Sequence, residues 1–140
     1  MGDYVMRIDE IIENKLYLSG YKPVQDEEKL DQHGITHVLT LGDLPEELPS
    51  GARRATKRIS IVDSKHADIS SVLQEAVDFI GQGVDGGGKV LVHCKVGQSR
   101  SVSCVIAYLM ATTEGLNFDD AIALVRTKRS IANPNVTFIS

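Results

Sequence analysis

Cys94 and Arg100 stand six positions apart in Val90-Leu-Val-His-Cys-Lys-Val-Gly-Gln-Ser-Arg-Ser101, where a short apolar run ends and a longer one is about to begin. A cysteine that follows a buried strand and precedes a helix lies in the field of the helix N-terminus, whose unpaired N–H groups favour negative charge. Gly97 gives the intervening turn the freedom to bring successive N–H groups onto an anion. The same field, together with the Arg100 guanidinium, is expected to lower the Cys94 thiol from about 8.5 to the range ~4–7, so that it is ionised at neutral pH. Arg100 adds a planar fork that can hold two phosphoryl oxygens, which a lysine cannot do. A thiolate nucleophile, an anion cradle built from Lys95, Val96, Gly97, Gln98 and Ser99, and a bidentate clamp from Arg100 thus converge on one tetrahedral dianion. The chemistry they suit is cleavage of a phosphate ester. The plainer alternative, a cysteine that only packs behind its strand, accounts for neither the turn nor the arginine.

The elements that must hold this turn can be read on both sides of it. Leu16 and Leu18 alternate as in a strand, and Asp26 to His33 reads as a helix closed by Gly34. Ile35–Leu41 and Ile59–Val62 are β-rich runs separated by a loop carrying Pro45, Pro49 and Gly51. Ile69, Val72, Leu73, Ala76, Val77 and Ile80 repeat with helical spacing, and Val102 to Met110 is apolar nearly all round. Asn117 is placed to cap a last helix, with Asp120 at its third position. Strands alternating with helices predict a single α/β domain over residues 1–140, with a mainly parallel central sheet flanked by helices. In such sheets, sites form beyond the carboxyl ends of the strands, which is where Cys94 falls.

Composition narrows the setting. A chain of 140 residues is long enough to bury its own core, and two cysteines ten positions apart offer neither a disulfide framework nor a zinc pattern. No metal or cofactor is expected, and an intracellular compartment, cytoplasmic or nuclear, is. The N-terminus has no apolar secretory segment, and no apolar run is long enough to insert stably in a membrane. A formal charge of −4 disfavours nucleic acid as a partner.

His93-Cys94-x-x-Gly97-x-x-Arg100-Ser101 matches the signature of the cysteine-dependent protein phosphatases, and the chain around it resembles their dual-specificity branch. The likeness runs through Asn14–Gly20, Gly34–Leu41, Ile106–Met110 and Pro134-Asn135 with Phe138. It implies a protein tyrosine phosphatase-like fold and a metal-independent hydrolase acting on phosphotyrosine and phosphoserine or phosphothreonine in proteins through a cysteinyl-phosphate. Cys94 is then the nucleophile and Arg100 with the loop amides the phosphate ligand. Ser101 assists departure of the thiolate, while His93 and Asn135 support the loop. A general acid on a separate loop about thirty residues upstream is implied as well. Asp63, 31 positions before Cys94, matches it better than Asp68, whose place ahead of Ile69 suits a helix cap. His66 lies on the same loop. Family members continue past the position of Ser140, so the resemblance implies that their closing C-terminal helix is cut short here.

Several further features compete for attention. Gly83-Val-Asp-Gly-Gly-Gly88-Lys89-Val90 nearly spells a nucleotide-binding loop, but Val90 replaces the required hydroxyl and the segment precedes a strand. Cys104 falls within the apolar helix and reads as a small core residue. Arg53, Arg54, Lys57 and Arg58 form a basic cluster that either docks an acidic partner or is solvated surface. A lipid phosphatase is the alternative function, since Lys95 follows the nucleophile in some lipid-directed relatives; a non-catalytic phospho-binding module is a weaker one. Gln98 and the scarcity of aromatic residues, four Tyr and three Phe, favour a shallow site and a phosphoprotein substrate.

Overall fold

The computed structural model describes residues 6–42, 54–59, 69–95 and 100–133. Five strands, β1 (Ile8–Ile12), β2 (Leu16–Ser19), β3 (His37–Leu41), β4 (Ala55–Ile59) and β5 (Val90–His93), form one sheet in the order β1-β2-β5-β3-β4. Only the β1–β2 hairpin is antiparallel; β2, β5, β3 and β4 run parallel. Among the described residues four helices accompany them: α1 (Glu27–His33), α2 (Ile69–Asp85), α3 (Arg100–Thr112) and α4 (Phe118–Lys128), with a 3-10 turn at Lys22–Gln25. None of the described helices is long and apolar enough to cross a membrane.

Alternation along the central strands divides the core into two layers, as the two-residue period of a strand requires. Leu16, Leu18, Leu39, Leu41, Val90 and Val92 pack on one face with the apolar residues of α2, α3 and α4. Tyr17, Val38 and Leu91 point the other way, onto Val24, Leu30 and Ile35. Each fully buried leucine or valine of this kind contributes about 1.5–3 kcal/mol. With both faces covered, β5 is apolar at every position before His93, which is why its sequence shows no polar alternation.

The helix ends follow the local signals. Asp26 accepts a hydrogen bond from Lys29 N–H, and Gly34 closes α1 with φ +70°. Asn117 Oδ1 accepts from Asp120 N–H at 2.8 Å; removal of such a cap costs about 1 kcal/mol. Three strands depart from expectation. β1 carries no apolar alternation, and Asp9 within it is buried by its pairing with Arg129 (Nη1–Oδ2, 2.8 Å). β4 runs through Ala55 and the polar residues Thr56, Lys57 and Arg58 and meets the expected strand Ile59–Val62 only at Ile59; residues 60–62 lie outside the described residues. Four of the five β4 residues are exposed or half-buried, so the apolar pattern that marks a central strand is not required of it. β3 likewise begins at His37, because Ile35 N–H still bonds back to Leu30 O of α1.

Candidate active site

Parallel pairing aligns the carboxyl ends of four strands in one row. Ser19 of β2 is paired with His93 of β5, His93 with Thr40 of β3, and Thr40 with Arg58 of β4. Cys94 is the next residue beyond this row, and α3 begins at Arg100 with Ser101 in its first turn. The Cys94 sulfur therefore lies at the start of the helix, against Ser101.

Cys94 is 4% exposed, and its Sγ lies 3.1 Å from the fully buried Ser101 Oγ. A hydroxyl at that distance can donate to a thiolate, which is the species that must leave when a covalent phosphate is hydrolysed. The Arg100 guanidinium rests against the backbone of Gly42: a Cβ built there would stand 3.0 Å from Arg100 Nη1. Gly42 itself has φ +105° and is fixed from β4, its N–H donating to Ile59 O at 2.9 Å and its carbonyl accepting from Arg58 Nη1 at 2.7 Å. Lys95 is exposed, and its carbonyl accepts the Tyr21 N–H at 3.2 Å, tying the start of the loop to the segment after β2.

His93 is buried between these strands, its Nε2 2.7 Å from Thr40 Oγ1. Burial pushes its pKa down to about 4; the main chain of Cys94 opposes the shift, and the charge of Arg58 reinforces it. The ring is therefore neutral at physiological pH and cannot be a cationic acid there. Cys104 is fully buried on α3, and burial, with a contribution from the Cys94 charge, pushes its thiol up to about 12. It stays protonated at neutral pH.

The structure thus brings together Cys94, Arg100, Ser101, His93 and Lys95 at one sheet edge. Val96, Gly97, Gln98, Ser99, Asp63, Asp68, His66 and Asn135 lie outside the described residues. Sequence reasoning did not single out Thr40, Gly42 or Arg58 as parts of the site. Arg58 was grouped with the basic cluster, whose described members all meet partners within the chain. Arg54 is buried and donates to Ile35 O and to Asp31, with Glu27 3.8 Å away, while Lys57 pairs with Glu75 at 2.8 Å. Two glycines of the near-match to a nucleotide loop serve close packing: a Cβ at Gly83, inside α2, would collide with Val90 Cγ2 at 2.5 Å, and one at Gly88 with Thr36 Oγ1.

A cysteine, a hydroxyl and an arginine thus stand together where the central strand of a mainly parallel sheet ends and a helix begins, on a protein tyrosine phosphatase-like fold. Residues 16–140 match the family model for the dual specificity phosphatase catalytic domain. The Dual specificity protein phosphatase 1 of Arabidopsis thaliana is 36% identical over 138 residues, covering 94% of this chain and 66% of the relative. The Dual specificity protein phosphatase MPK-4 of Drosophila melanogaster is 40% identical over 135 residues, covering 95% of this chain and 34% of the relative. The chain therefore spans just under two thirds of one relative and about a third of the other. Among solved structures, the human tyrosine phosphatase-like serine/threonine/tyrosine-interacting protein superposes with a TM-score of 0.84 at 31% identity, covering 96% of this chain and 91% of that one. The chain belongs to the dual specificity phosphatase family and carries its hydrolase catalytic domain.

Proposed function

We propose that this protein hydrolyses phosphotyrosine and phosphoserine or phosphothreonine in proteins through a cysteinyl-phosphate. The observation that carries the reading is the 3.1 Å contact between Cys94 Sγ and Ser101 Oγ at the start of α3, with Arg100 beside them. In the first step the Cys94 thiolate attacks phosphorus, a P–S bond forms, and the bond from phosphorus to the ester oxygen breaks. The departing oxygen takes a proton from Asp63, the carboxyl group assigned on its spacing from Cys94. In the second step water attacks phosphorus, its proton passes to the Asp63 carboxylate, and the P–S bond breaks. Ser101 O–H then bonds the returning thiolate, while Arg100 and the loop amides hold the equatorial oxygens throughout. His93, neutral and buried, takes no part in proton transfer.

Protein substrates are favoured over lipid by the family membership and by Gln98, a neutral residue in the phosphate loop. The test compares kcat/KM in the presence of chelator on a phosphotyrosine peptide, a phosphothreonine peptide and phosphoinositide vesicles. Turnover of both peptides supports the reading. A preference for vesicles above about 100-fold, or roughly 2.7 kcal/mol of transition-state discrimination, overturns it.

A further inference from the structure

Gly42 is met by two guanidinium groups from different elements. From β4, Arg58 Nη1 donates to its carbonyl at 2.7 Å. From the start of α3, Arg100 Nη1 stands 3.0 Å from the position a Cβ would take, a closeness that only a residue without a side chain permits in comfort. The parallel register accounts for the first contact: Thr40 pairs with Arg58 and Leu41 with Ile59, so the residue after β3 reaches the last two residues of β4. The Gly42 N–H donates to Ile59 O at 2.9 Å, and its φ of +105° is one that residues other than glycine rarely adopt. Arg58 is half-buried, and a hydrogen bond from a charged donor in partial shelter is stronger than an exposed neutral one. An arginine side chain loses much rotamer freedom when it is fixed, and a clamp that is fixed before its anion arrives spares binding that cost.

We propose that Arg58 is a positioning residue for Arg100: by holding the Gly42 carbonyl it fixes the main-chain surface against which the Arg100 guanidinium lies, so that the phosphate clamp is preformed. β4 is two strands away from β5 in the sheet, so the rival role for Arg58 is a field acting on the anion from a distance. The two roles predict different couplings. An effect routed through Gly42 needs the Arg100 side chain, whereas a field strengthens anion binding whether or not Arg100 is present. The inference rests on Arg100 being the phosphate ligand of the proposed function, and its test reads anion binding without turnover.

The experiment is a double-mutant cycle read as the dissociation constant of inorganic tungstate, a tetrahedral dianion that stands in for the phosphoryl group. The constant is taken from the protection tungstate gives Cys94 against iodoacetamide, with peptide mapping to separate Cys94 from Cys104. Arg58→Met keeps the aliphatic stem and removes the guanidinium. It should weaken tungstate binding by about ten-fold in the parent and by less than about two-fold in Arg100→Ala, whose loop amides still bind the ion. Equal weakening in both backgrounds, or none in the parent, overturns the proposal and leaves the proposed function standing. Should Arg58→Met fail to fold, Gly42→Ala takes its place in the same cycle. A loss confined to the background that retains Arg100 then supports the proposal, and an equal loss in both, or none, overturns it. A constant that Arg100→Ala does not change overturns the proposal and removes Arg100 from the phosphate site as well. A coupled cycle in a chain that hydrolyses no phosphopeptide supports the positioning role and sinks the proposed function alone.

Discussion

Acid should destabilise this protein through His93. The ring's pKa falls from 6.5 to about 4 on folding, because burial penalises the imidazolium and Arg58 adds a like charge. Between those values the unfolded chain binds a proton that the folded chain does not, so stability rises with pH across this window and is lost as pH falls from about 6.5 toward 4. The full shift of about 2.5 units sets a ceiling of roughly 3 kcal/mol at 1.36 kcal/mol per unit. By pH 4.5 about 2 kcal/mol of it is gone. At a urea slope of about 2 kcal/mol per molar, that is a fall in the unfolding midpoint of roughly 1 M between pH 7 and 4.5. Carboxylates contribute to the same limb, so the informative quantity is the difference between the parent and His93→Gln, which cannot titrate. Urea unfolding of both at pH 7, 5.5 and 4.5 should give a variant that is weaker at pH 7 and loses less on acidification. Parallel pH dependences in parent and variant would refute the reasoning, since they would mean that His93 is protonated as readily folded as unfolded.

Three other perturbations bear on separate parts of the account. Ser101→Ala removes the hydroxyl 3.1 Å from the sulfur and should slow breakdown of the cysteinyl-phosphate by about 10–100-fold, the worth of a hydrogen bond to a charged group. Stopped-flow with an activated aryl phosphate should then show a burst followed by a slower steady rate. Asp63→Asn should slow phosphopeptides more than an activated aryl phosphate and flatten the alkaline limb of the pH–rate profile; the same result from Asp68→Asn instead would reassign the acid. Arg129→Ala removes the fully buried partner of Asp9 and leaves its carboxylate to Arg7 alone, and should cost about 1.5–3 kcal/mol in denaturant unfolding. A cost below about 1 kcal/mol would mean that the pair is solvated in solution.

What the sequence disclosed was local. Asp26, Gly34 and Asn117 mark helix ends through bonds to residues three or four positions away, so their types alone sufficed. The strand–turn–helix at Cys94 is likewise contained in a dozen consecutive residues. The edge strands were less legible, because Ile8–Ile12 and Ala55–Ile59 carry charge where a central strand carries apolar side chains. The burial of Arg54, in a cluster that its sequence marks either as a docking patch or as solvated surface, is not legible because the acceptors that make it tolerable, Asp31 and Ile35 O, reach it only through the fold. Thr40, Gly42 and Arg58 entered the site for the same reason: nothing in their own segments points to it, and only the parallel register lays them beside His93 and Arg100.

The central claim, that Cys94 takes the phosphoryl group from substrate, is tested most directly by rapid acid quench of the protein with a phosphorus-32-labelled phosphotyrosine peptide, followed by peptide mapping. The account predicts label on the peptide bearing Cys94, accumulating further in Ser101→Ala and absent from Cys94→Ser, which should still bind the phosphopeptide. Turnover by Cys94→Ser at a rate comparable to the parent, or hydrolysis by the parent with no label on Cys94 in either background, would contradict it.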